Sequence, residues 1–133
     1  MFKKFSVFFF VLIVSIGYIS AQDLTVRIEN ADVGKGHLMI AVFNSEDNFP
    51  NKSFSEQRIA VTDRTMVITF PGLPAGKYAV SVYQDSNNNG KLDTMIFGIP
   101  KEKYGFSNDA RMPNYEKCRF EFNGNTDITI QIK

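Results

Sequence analysis

The chain has 133 residues, with 15 Lys and Arg against 14 Asp and Glu, one His, one Cys and no Trp. So even a charge balance has no electrostatic reach toward a phosphate backbone and argues against nucleic-acid binding. A lone cysteine rules out an internal disulfide, and a lone histidine rules out a histidine-based zinc centre.

In chain order, Lys3 and Lys4 precede an apolar run from Phe5 to Ile19, weakly interrupted by Ser6, Ser15 and Gly17. A basic start, an apolar stretch and the small pair Ser20-Ala21 read as an export signal over residues 1–21, cleaved after Ala21. The run is short of the roughly 20 apolar residues that a spanning helix needs. Its loss leaves 13 basic against 14 acidic residues in the 112-residue remainder, which suits one domain over 22–133. The expected location is periplasmic or extracellular. The expected product is a monomer that engages no membrane once the signal is gone. With no disulfide, stability must come from core packing, to which a metal can add.

The mature chain has a period of two. Leu24, Val26 and Ile28 alternate with Thr25, Arg27 and Glu29, and the same spacing recurs at Met66, Ile68 and Phe70 and at Tyr78, Val80 and Val82. Near the end it returns at Cys118, Phe120 and Phe122, then at Ile128, Ile130 and Ile132. Such alternation marks strands with one buried face. The run His37 to Phe43, apolar almost throughout, predicts a central strand. Gly34-Lys35-Gly36 and Pro71 to Gly76 supply turns, Ile59 to Val61 a short edge strand, and Asn123-Gly124-Asn125 a hairpin between the last two strands. No stretch keeps a helical apolar spacing. The pattern predicts an all-β fold, a single antiparallel β-sandwich of about seven strands, Ig-like or transthyretin-like.

Between two strands lies Asp85-Ser-Asn-Asn-Asn-Gly-Lys-Leu-Asp93. Side-chain oxygens at Asp85, Asn87, Asn89 and Asp93, with Gly90 at the bend, match positions 1, 3, 5, 9 and 6 of a calcium loop. Lys91 stands at position 7, where a backbone carbonyl serves. Calcium takes six to eight oxygens, and alternate residues of a tight loop can aim theirs at one point. Position 12, where a bidentate Glu closes the shell, holds Ile96. Glu102, Asn108 and Asp109 are candidates for the missing oxygens. The plainer alternative is an Asn89-Gly90 turn whose polar neighbours only solvate it. Tyr104 and Phe106 either line a groove or plug an open end of the sandwich, the latter being the commoner role. His37, at a strand start, reads as a surface or edge residue, and Cys118 as a buried thiol sharing a strand face with Phe120 and Phe122.

Four motifs in this order, Phe70-Pro-Gly-Leu-Pro-Ala-Gly-Lys-Tyr-Ala-Val80, Asp85 to Asp93, Gly98-Ile-Pro-Lys-Glu102 and Tyr104-Gly-Phe-Ser-Asn108, resemble the DUF2141 family of exported bacterial proteins. The resemblance implies a compact all-β domain similar to transthyretin-like and carboxypeptidase-regulatory-like sandwiches, and it implies no reaction. Two positions depart from the family pattern: Gln84 stands where His is frequent, and Met95 where Asn is frequent.

The chain shows no nucleophile–base pair, HExxH motif or phosphate loop. The expected function is a non-enzymatic binding or accessory module with a calcium-type loop and an unidentified protein or small-molecule partner. The alternative is a small hydrolase or ligand carrier using Asp85, Asp93 and Glu102 as a carboxylate cluster. A third option is an envelope accessory that pairs through an exposed edge strand.

Overall fold

The computed structural model describes residues 21–88 and 102–133. The export signal before Ala21, the Asn89-Gly90 turn, Met95 and Ile96 lie outside the described residues. Those described form β1 (Gln22–Glu29), β2 (His37–Phe43), β3 (Ser55–Ala60), β4 (Met66–Leu73), β5 (Gly76–Asp85) and β6 (Tyr104–Phe106). A 3-10 turn (Ser107–Asp109), the one-turn helix α1 (Tyr115–Cys118), β7 (Phe120–Phe122) and β8 (Thr126–Gln131) follow. No helix among them is long and apolar enough to cross a membrane.

The fold is all-β, with two sheets of mostly antiparallel pairing. One has the order β4-β1-β8; the other runs β3-β2-β5-β6, with β7 also on β5. β2 is central, as its apolar run predicts. The expectation of purely antiparallel pairing needs correction, because β1 and β8 run parallel, from Leu24 opposite Thr126 to Glu29 opposite Gln131. The expected hairpin at Asn123-Gly124-Asn125 is corrected with it. β7 pairs with β5 in one sheet and β8 with β1 in the other, so these three residues carry the chain around a corner between layers.

Alternation along each strand aims one set of side chains at a shared core. Val26 and Ile28 of β1, Ile68 and Phe70 of β4 and Ile130 of β8 meet Leu38 and Ile40 of β2, Val80 and Val82 of β5 and Phe122 of β7. Tyr78 packs edge-on against Phe122 at 5.5 Å, and its hydroxyl donates to the Pro74 carbonyl. The Leu-Pro-x-Gly-x-Tyr motif is thereby accounted for as a structural corner.

A second cluster lies on the other face of the five-stranded sheet. Phe49 stands over Phe43, Phe106 and Tyr115 at 5.0, 6.0 and 5.9 Å between ring centroids. Cys118 belongs to this cluster, whereas Phe120 and Phe122 pack against the first. Cys118 is buried, as expected, but not for the expected reason. It closes α1 instead of sharing a strand face with those phenylalanines, since the strand begins only at Phe120. Asn114 starts the helix by accepting the Lys117 N–H at 3.1 Å.

The flanks of the two sheets are tied. Gln57 on β3 donates its amide to the Thr69 carbonyl on β4 at 2.8 Å, and Tyr104 and Lys133 exchange two backbone bonds of 3.1 Å. Gly105 makes the second approach possible: a Cβ there would sit 2.8 Å from Ile130 Cγ2 and 2.9 Å from the Gln131 carbonyl oxygen.

Candidate metal site

β5 ends in two fully buried polar residues, Gln84 and Asp85. By alternation Gln84 shares the inner face with Val80 and Val82, while Asp85 follows Tyr83 on the outer face. The Gln84 amide is saturated by the turn joining β1 to β2. Its oxygen accepts the Asp32 N–H at 2.9 Å, and its nitrogen donates to the Asp32 and Lys35 carbonyls, each at 2.7 Å. In this chain, then, position 84 is a structural clamp. The departure from His takes no ligand away from the outer side of the loop.

Asp85 begins the turn that leaves the sheet, and the Asn88 N–H returns to its carbonyl at 3.4 Å. Asn87 is exposed, and Asn88 holds a left-handed φ of 58°, which asparagine tolerates better than most residues. His37 lies opposite Asp85 in the ladder, and its Nδ1 sits 2.6 Å from Asn88 Oδ1. Asn88 Oδ1 has no hydrogen to give, so Nδ1 carries the proton and donates it. The edge role expected for His37 takes this form.

Glu102 re-enters at the same place. It is 8% exposed, and its Oε2 accepts the Ser86 N–H at 2.6 Å. The next residue, Lys103, reaches the Asp32 carboxylate at 2.8 Å and the Asn30 carbonyl at 3.0 Å, while its own carbonyl accepts the Gln84 N–H at 2.9 Å. Tyr83, beside them, has its phenol pushed up from the ordinary value, first by burial and then by the negative charges of Asp85, Glu102 and Glu56, with Arg58 opposing. Two of the anticipated carboxylates thus act on one phenol.

Of the anticipated ligands, Asp85 and Asn87 open the turn; Asn89, Lys91 and Asp93 lie outside the described residues. Among the described residues no three His, Cys, Asp or Glu side chains form a metal-ligand group. The donors present are nonetheless of one kind. Asp85, Asn87 and Glu102 carry hard oxygens. This chemistry suits calcium over zinc or copper.

Asn108 and Asp109, the other candidates for the missing oxygens, are elsewhere. Asn108 spends its amide on the Lys117 and Arg119 carbonyls at 3.1 and 2.9 Å. Ser107 is equally structural, accepting the Val80 N–H at 3.0 Å and donating to the Cys118 carbonyl. Tyr104 carries the Arg111 guanidinium 4.4 Å above its ring, and Phe106 is buried beside Phe49. Of the two roles weighed for this pair, Phe106 takes the packing one.

Sequence reasoning overlooked Gly36 and Lys103. Gly36 counted only as part of a turn, yet a Cβ on it would stand 1.8 Å from the Asp85 carbonyl oxygen. Its signal is the Gly-x-Gly spacing, which reads as a turn and does not reveal the close approach at the second glycine. Lys103 gave no signal, since its partner lies 71 positions away.

No curated protein and no solved structure matches the chain. A family model described as "Uncharacterized protein conserved in bacteria (DUF2141)" matches residues 26–131, which span both sheets and the candidate loop, and the chain belongs to that family.

Proposed function

We propose that this protein is an exported, non-enzymatic binding or accessory module, an Ig-like or transthyretin-like β-sandwich whose Asp85-to-Asp93 loop holds calcium. The observation that carries the reading is the position of Glu102. The loop lacks an acid at position 12, and the structure brings a buried carboxylate from six positions further on to the turn formed by Asp85 to Asn88. Asp85, Asn87, Asn89, the Lys91 carbonyl and Asp93 would hold the ion together with Glu102. Its charge would offset the repulsion between acids gathered at one sheet end. The burial of Asp85 and Glu102 favours this role over acid–base chemistry, which needs carboxyl groups open to a substrate. The other family motifs within the described residues, around Tyr78 and from Tyr104 to Asn108, are explained by packing and backbone bonding, which leaves the loop as the functional element.

A site with few carboxylates in an extracytoplasmic module should bind with a dissociation constant on the order of 10⁻⁴–10⁻³ M. Calcium at about 100 times that constant would stabilise the fold by roughly 2.7 kcal/mol. Thermal melts in chelator and across a calcium titration, beside Asp85→Ala, test this. A calcium-dependent rise in wild type that vanishes in the variant is the expected result; superimposable wild-type melts up to tens of millimolar calcium reject it. Export is tested separately, by intact-mass analysis for loss of residues 1–21.

A further inference from the structure

We infer that β3 is a self-association edge, on which a second copy of this chain pairs antiparallel with Glu56 of each copy facing Arg58 of the other. The inference is independent of the calcium reading. β3 ends the five-stranded sheet, with β2 as its neighbour. Just beyond it, the Val61 N–H donates to the Gly36 carbonyl at 3.2 Å. The register carries that hydrogen-bonded parity to Ile59 with Leu38, Gln57 with Ile40 and Ser55 with Val42. The backbone N–H and C=O groups of Glu56, Arg58 and Ala60 therefore face away from β2, and all three residues are exposed.

Other sheet ends are guarded. On β4 the Thr69 carbonyl is taken by the Gln57 amide at 2.8 Å, and Pro71, on the same side two positions later, has no N–H to offer a further strand. At the opposite flank Tyr104 and Lys133 exchange two backbone bonds. β3 carries charge instead, which ordinarily keeps an edge from pairing at random. Here the two charges are of opposite sign and two positions apart. A two-fold axis beside Gln57 makes the pairing antiparallel and sets Glu56 opposite Arg58 of the copy, and Arg58 opposite its Glu56. Both residues aim their backbone groups at the copy, so each pair exchanges two backbone bonds and adds an ion pair. A register centred on Arg58 would oppose the two arginines and is disfavoured. Within one chain Glu56 accepts the Ser53 hydroxyl at 3.0 Å, and Arg58 stands 3.5 Å from Asn88 Oδ1. These are neutral partners of exposed side chains, which a charged partner displaces.

A contact along one strand edge is small, so the dimer is a transient one. Sedimentation equilibrium of the purified protein in chelator and low salt, up to about 1 mM, reads it. In wild type the mass should climb with concentration toward twice that of the monomer. Glu56→Arg and Arg58→Glu each turn both attractive pairs into like-charge pairs and should raise the dissociation constant at least about tenfold. The double variant, Glu56→Arg with Arg58→Glu, restores the pairs in reverse and should return to within about threefold of wild type. An equimolar mixture of the two single variants should associate under conditions where neither does alone. Both positions are exposed, and circular dichroism checks that every variant is folded. A wild type that stays monomeric throughout overturns the inference and leaves the edge to a strand from another protein. Association that ignores the single swaps, or that the double swap fails to recover, overturns it as well.

Discussion

Glu102 accepts the backbone N–H of Ser86 at 2.6 Å, so an acid sixteen positions downstream sits on the turn in which β5 ends. A glutamine keeps one oxygen acceptor for that N–H and gives up the charge. Glu102→Gln should therefore melt close to wild type in chelator while its response to calcium weakens at least tenfold. Glu102→Ala loses the bond as well and should cost roughly 1.5–3 kcal/mol even without metal. Melts of both variants, with and without calcium, separate the two contributions. A Gln variant with wild-type calcium response would show that Glu102 serves the turn alone.

Gln84 makes three bonds to the β1–β2 turn from a fully buried position. At about 1 kcal/mol net per bond, three lost bonds mean that Gln84→Ala should cost about 2–4 kcal/mol. Gln84→Glu should be worse at neutral pH, since a buried carboxylate would face two carbonyl oxygens. Acid that protonates it should recover part of the difference. Chemical denaturation of the three proteins at pH 7 and pH 5 measures both effects.

How much of this was legible follows from what alternation encodes. Period two at Leu24, Val26 and Ile28 reports a buried face, so the core residues and the all-β class were readable. It does not encode the partner or its direction, because a strand with one buried face alternates identically in parallel and antiparallel ladders. Hence the parallel β1–β8 pair and the corner at Asn123 to Asn125 were hidden. The Cys118–Phe122 alternation misled for a related reason. Asn114 caps a helical turn that Cys118 completes, and a four-residue helix is too short to display a period of its own. At the end of β5, spacing drew attention to Asp85 and Asn87 because a loop pattern is local. Gly36, Gln84 and Lys103 act through contacts about 50 to 70 residues apart, and no local pattern records those.

Phe122 is 1% exposed in the inter-sheet core, while Phe120 is only partly buried against it. Full burial predicts about 3–5 kcal/mol for Phe122→Ala. Phe120→Ala should cost distinctly less, because part of its ring surface is already in water. Urea titrations of the two variants check the order, and equal losses would contradict the burial difference.

Cys118 is fully buried, and burial pushes its thiol up from the ordinary value of 9.0, against a smaller opposing effect of its backbone bond with Asn114. The folded state therefore keeps the proton to higher pH than the unfolded chain does. The stability tied to the protonated thiol is fully present below about pH 9 and is lost as pH rises through the folded value. Tyr78, Tyr83 and Tyr115 are raised in the same direction from 10.0, so their contribution declines only further up the scale. Melts of wild type and Cys118→Ala between pH 7 and 11 should diverge in shape first between about 9 and 10, where wild type falls more steeply than the variant. Above that interval both should fall, because the tyrosines remain. Rapid modification of the native thiol by a bulky maleimide at pH 7, without unfolding, would contradict the burial from which this order of events follows.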